Sequence, residues 1–177
     1  MADKFIALEQ DKCLFVYNLL RANNAKTVVE IGTSFGVSTV YLALAVGQNH
    51  PGGGAKVIAT EYEKEKVKAA RGHWEEAGED VVKVIELREG DLRETLKDGL
   101  PDEIDFLLLD IWAPMAAPAL ELVKGKLKKG AIIITDNTIT AEARYKDLLA
   151  VLRDPKGAFR SVTLPYKGGM EMSVYLP

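Results

Sequence analysis

The stretch VVEIGTSFGVST, residues 28–39, passes from a β-branched run through a glycine turn into a helix start. Val28, Val29 and Ile31 suit a buried strand. Gly32 and Gly36 sit in the turn, and GVSTVYLALAVG continues as a helix ending at Gly47. Glycines at such a turn let the backbone approach a ligand, and the helix start offers N–H groups to a negative group. A strand that enters a helix this way opens a doubly wound α/β sheet, whose ligand crevice lies at this point.

The rest of the chain repeats the alternation. Upstream, residues 3–22 of an N-terminal segment 1–22 space Phe5, Ile6, Leu8, Leu14, Phe15, Leu19 and Leu20 as an amphipathic helix. Downstream, KVIATE, VVKVIELREG, EIDFLLLD and AIIITDN read as strands. KEKVKAARGHWEEAG, DLRETLKDGLP, MAAPALELVKGKLKKG and AEARYKDLLAVLRD read as the helices between and after them. Strands separated by helices argue a parallel sheet covered on both faces. Residues 159–177 close differently: two β-rich runs joined by PYKGG leave no room for a crossover helix, which demands an antiparallel hairpin. No repeat or linker interrupts residues 1–177, so they read as a single domain.

Composition narrows the function. A chain of 177 residues that is 47% hydrophobic can bury a substantial core. A net charge of -3 with both signs interspersed gives no footprint for nucleic acid or an anionic membrane. Cys13 is the only cysteine, which suits a reducing compartment. Charges run through MADKFIALEQDK, and no apolar run reaches membrane-spanning length. The expectation is a soluble, cytoplasmic protein with neither a nucleic-acid nor a membrane partner.

Two acids follow the glycine turn. Glu61 ends VIATE, where a carboxylate can accept ribose hydroxyls, and Asp91 ends REGD, within reach of an adenine edge. Each also suits a cap for the next helix. The dinucleotide fingerprint needs three glycines, and this turn has only Gly32 and Gly36. Two glycines plus a second-strand acid fit a nucleoside without a diphosphate, with S-adenosylmethionine as the candidate.

With VVEIGTSFGVST, VIATE, LLLDIW and GAIIITDN in this order, the chain resembles class I S-adenosylmethionine-dependent methyltransferases, whose Rossmann-like sheet has seven strands and an antiparallel C-terminal hairpin. More narrowly, it resembles the metal-dependent O-methyltransferases that include the catechol and caffeoyl-coenzyme A enzymes. The resemblance runs from about Lys4 to Tyr175. It implies methyl transfer to a hydroxyl of a small catechol-like aromatic acceptor. It also implies that Gly32, Ser34, Gly36 and Ser38 form the methionine-binding loop, that Glu30 and Glu61 are cofactor-binding acids, and that Asp91 and Leu92 lie by the adenine. Trp112 then walls the acceptor pocket beside the cofactor, and Glu171 contacts the acceptor hydroxyl as a catalytic carboxylate.

Two apolar strands end in oxygen-bearing side chains, FLLLD at Asp110 and IIITDN at Asp136-Asn137. Asp and Asn commonly start turns. If the two strands are neighbours, as the resemblance implies, the three residues converge and suit Mg²⁺ or another divalent cation with open positions for an acceptor. Asp110 then serves cofactor, metal and catalysis together. The chain departs from the catechol type at Ala113, where that type places a lysine base. Tyr166 and Lys167 are the nearest substitutes. The missing lysine keeps a non-catalytic S-adenosylmethionine-binding module as the alternative. A front end with one helix implies an open acceptor pocket, or one completed by a second copy in a homodimer.

Overall fold

Residues 7–177 are described by a computed structural model. Seven strands, β1 Thr27–Ile31, β2 Lys56–Glu61, β3 Ile85–Glu89, β4 Ile104–Leu109, β5 Leu127–Asp136, β6 Phe159–Leu164 and β7 Met170–Tyr175, form one sheet. Their order is β3-β2-β1-β4-β5-β7-β6. The first five run parallel, β7 runs antiparallel to β5, and β6 antiparallel to β7. This is the doubly wound sheet with a C-terminal hairpin that the sequence predicts.

Side chains of the central strands alternate onto two cores, as the period of two requires. Val28, Phe106, Leu108 and Ile134 face α1 (Gln10–Ala22), α2 (Val37–Asn49), α3 (Lys64–Ala77) and α4 (Glu79–Val82). Val29, Leu107, Leu109 and Ile133 face α5 (Leu92–Thr95), α6 (Ala116–Lys124) and α7 (Glu142–Leu152). A strand buried on both faces has no polar alternation to show, which is why FLLL reads as a continuous apolar run.

Four boundaries differ from the sequence expectation. The third strand begins at Ile85 rather than Val81, because Gly78 (φ 109°) ends α3 and the chain restarts as the one-turn α4. The helix expected through Gly130 stops at Lys124, and Leu127 already pairs with Ile104 as the start of β5. The second helix runs past Gly47 to Asn49. The first begins at Gln10, with Phe5 and Ile6 outside the described residues. Its inward face is Lys12, Cys13, Val16 and Leu20, while Leu14 is 45% exposed. Among the described residues no helix is long and apolar enough to cross a membrane.

The glycine turn is fixed by two close approaches. Gly32 (φ 99°) passes so near the end of β4 that a Cβ there would lie 2.0 Å from the Asp110 carbonyl oxygen. Gly36 (φ 78°) lies under Trp74, whose indole Nε1–H donates to the Gly36 carbonyl at 3.0 Å. Both glycines hold a left-handed backbone that a side chain would strain. Gly32→Ala should therefore lower stability by about 2 kcal/mol or more. Thermal melts should show that loss, while Gly52→Ala, with no heavy atom within 4 Å of the added Cβ, should stay near the parent.

Candidate active site

The C-terminal ends of β1, β2, β4 and β5 share one edge, and the acids named from the sequence gather there. Glu30, on β1, is fully buried and accepts hydroxyl protons from Thr33 at 2.9 Å, Ser38 at 2.5 Å and Thr39 at 2.5 Å. Burial pushes its carboxyl up, and the three hydroxyls oppose that shift. Glu30 and Ser38 were expected to contact a cofactor. Instead the Ser38 hydroxyl turns inward to Glu30, and the pair pins the turn to the first residues of α2.

Glu61 stands at the end of β2 with its carboxylate across the crevice. Oε2 accepts the Ser34 backbone N–H at 2.8 Å, and Oε1 accepts those of Tyr62 at 2.8 Å and Glu63 at 2.9 Å. It thus joins the first loop to the second. Ser34 holds φ 50°, a left-handed conformation that aims its amide at this acid. The glycine turn, Ser34 and Glu61 line a cradle that could hold the ribose and charged end of S-adenosylmethionine: Gly32 presents no side chain, and Glu61 presents acceptor oxygens.

Asp91 realises the capping alternative. Its carboxylate accepts the Arg93 backbone N–H at 2.9 Å and is held down to about 2 by hydrogen bonds from the Arg93 guanidinium and backbone. Leu92 turns into the core. The residue that sequence reasoning missed here is Tyr62, 72% exposed, which lines an open cleft with Glu63, Glu89 and Gly90. An aromatic directly after the strand-end acid was the available signal.

Pairing of Leu109 with Thr135 places Asp110 and Asp136 at the next positions of adjacent strands, about 5 Å apart along the sheet. Asp110 is pushed up to about 7 by burial, then by the charges of Asp136 and Glu30. Burial also raises Asp136, against the opposing hydrogen bond from Lys12. Lys12, from the first turn of α1, is fully buried, with its Nζ 2.6 Å from Asp136 Oδ1 and 2.8 Å from Glu9 Oε2. Burial alone would lower the lysine's pKa, but hydrogen bonds to Asp136 and Glu9 outweigh it and raise it. The sequence did carry a sign of Lys12: it falls on the same helical stripe as Val16 and Leu20.

The expected metal donors are differently employed. Both Asp136 oxygens are in use, Oδ1 on the Lys12 ammonium and Oδ2 on the Asn137 amide Nδ2–H at 3.0 Å. Asn137, at φ 59°, turns its Oδ1 towards Gly168. An ammonium on one ligand and an amide donor, rather than an amide oxygen, on the same carboxylate do not fit a divalent cation. Glu171, expected at the acceptor, is 1% exposed and held by Arg153 through Nε at 2.8 Å and Nη2 at 2.9 Å, with Thr163 at 2.6 Å. Burial pushes its carboxyl up, but Arg153 and Thr163 leave it lowered. Trp112 is 62% exposed, and Ala113 is buried in the core covered by α5, α6 and α7. Tyr166 packs on Phe15 of α1, ring centroids 5.8 Å apart, and Lys167 is exposed.

Comparison with known proteins sets this edge in a family. "Probable caffeoyl-CoA O-methyltransferase 2" of Dictyostelium discoideum is 29% identical over 140 residues, 77% of this chain and 58% of that one. Catechol O-methyltransferase of Mycobacterium tuberculosis is 29% identical over 153 residues, 84% of this chain and 66% of that one. The chain thus spans less than two thirds of the length of these curated relatives. An O-methyltransferase from Bacillus cereus, solved in complex with SAH, shares the fold with a TM-score of 0.81 at 21% identity, over 97% of this chain and 84% of that one. Residues 29–138, which hold the glycine turn, Glu61 and both strand-end acids, match the family described as "Methyltransferase domain", and the chain belongs to it.

Proposed function

We propose that this chain is an S-adenosylmethionine-dependent O-methyltransferase acting on a small hydroxylated aromatic acceptor, with Asp110 as the proton acceptor. One observation carries the reading. Gly32, in the donor cradle, lies against the backbone of Asp110, the crevice acid that carries the raised pKa and receives no side-chain hydrogen bond among the described residues. Donor site and base are therefore neighbours. The names of the relatives, caffeoyl-CoA and catechol O-methyltransferases, support the acceptor class.

S-adenosylmethionine, when bound, supplies a methyl group on a positively charged sulfur, which keeps the electron pair of the broken C–S bond as the acceptor oxygen takes the carbon. The residues prepare the oxygen. A phenol with a pKa of ~10 is largely protonated at neutral pH and nucleophilically weak. A carboxylate raised to about 7 is a far better base than an ordinary aspartate and still partly ionised at neutral pH. Asp110 takes the hydroxyl proton, Glu61 holds the ribose side, and Trp112 at the rim covers the acceptor ring. Placement of the oxygen in line with the methyl does most of the remaining work. Glu171 takes no part, since Arg153 and Thr163 hold its carboxylate.

Methyl transfer from labelled S-adenosylmethionine to a panel of catechols tests the reading. Transfer is expected, with kcat/KM rising through pH 7 to a plateau, because Asp110 must lose its proton to act. Asp110→Asn should reduce kcat about a hundredfold or more while calorimetry shows cofactor affinity within about threefold of the parent, as expected for a group acting on the acceptor. Glu61→Ala should weaken cofactor binding by about ten- to a hundredfold. Calorimetry that shows no cofactor binding by the parent protein sinks the proposal. Binding without transfer to any acceptor would favour the non-catalytic module instead.

A further inference from the structure

We propose that the Lys12 ammonium is the resident cation of this site: it stands on Asp136 where a divalent metal would otherwise bind. This does not depend on the proposed methyl transfer.

A fully buried ammonium is costly unless paired and hydrogen-bonded. Lys12 meets that demand at Asp136 and Glu9, at 2.6 and 2.8 Å. Among the described residues the charged groups that act on it or feel it are Glu9, Asp110 and Asp136, with Glu30 acting on Asp110 behind them and Lys167 acting on Glu9 from the terminal turn. Acids dominate, and Lys12 is the one cation inserted among them in the described residues. A lysine ammonium has three N–H donors and no acceptor. Two are taken by Asp136 and Glu9 among the described residues, which holds the ammonium firmly on the strand-end acid.

The direction of approach also matters. A lysine at Ala113 would start from the core covered by α5, α6 and α7, where Ala113 is 8% exposed and packed. Lys12 instead arrives from α1, on the opposite face of the sheet, alongside Cys13 and Val16. Mg²⁺ wants oxygens at about 2.1 Å in a near-octahedral shell, and it would have to expel this ammonium from Asp136 first.

The test is a Mn²⁺ titration of the full chain, followed by the electron paramagnetic resonance signal of free Mn²⁺, for the parent, Lys12→Arg and Lys12→Met. The parent and Lys12→Arg should show no saturable site below millimolar Mn²⁺. Lys12→Met should gain a site at least about tenfold tighter, and adding Asp136→Asn to that variant should remove it. Saturable micromolar binding by the parent overturns the proposal, as does a Lys12→Met protein that melts cooperatively but gains no affinity. Should Lys12→Met fail to fold, the parent titration decides alone. Methyl transfer should be unchanged within about twofold between EDTA and Mg²⁺, and abolition by EDTA would likewise overturn it. Absence of transfer under every condition counts against the methyltransferase reading and leaves the Mn²⁺ result standing.

Discussion

A buried ammonium on a buried carboxylate, Lys12 on Asp136, is what allows three acids to stand at one end of a closed sheet. Glu30, Asp110 and Asp136 lie on the same face of neighbouring strands, and burial raises the pKa of each. Low dielectric magnifies their mutual repulsion. Each is relieved differently. Glu30 receives three hydroxyls, Asp136 receives the lysine and Asn137, and Asp110, which receives no side-chain hydrogen bond among the described residues, is left with its carboxyl pushed up. A single edge thereby holds one acid satisfied by hydroxyls, one balanced by an ammonium and one left for the proposed proton transfer.

Most of the fold was legible because its strands are short β-branched and leucine runs bounded by glycine or acid. VVEIG, KVIATE and IDFLLLD left little choice of element. Less legible were places where tertiary contact overrides local pattern. Val81 and Val82 look like strand but form a one-turn helix after Gly78, and KLKKG looks helical but extends β5 along β4. Periodicity registers apolarity, whereas pairing with a neighbouring strand leaves no trace in a single segment.

The site was half legible for a related reason. Asp110, Asp136 and Glu61 could be named because strand ends in such sheets face the crevice. Lys12 was not named because the helix was read from its apolar spacing alone, which picked Leu14 as inward and passed over the lysine that is. Glu30 at the end of β1 and Ser38 at the start of α2 turn towards each other, which could not be read because sequence shows that hydroxyls and a carboxylate are near one another but not which way they turn. Glu171 failed likewise: only β6 and α7, remote in sequence from the crevice, reveal that Thr163 and Arg153 claim it.

The two tryptophans of the chain occupy opposite extremes, and this gives the protein a built-in optical readout. Trp74 is 3% exposed, with its indole bonded to the Gly36 carbonyl, so its emission is that of a sequestered ring and follows the integrity of the glycine turn. Trp112 is 62% exposed at the end of β4, so its emission is that of a hydrated ring and follows what comes to rest on the crevice rim. The blue and red edges of one fluorescence spectrum therefore monitor the glycine turn and the end of β4 separately, without any label attached.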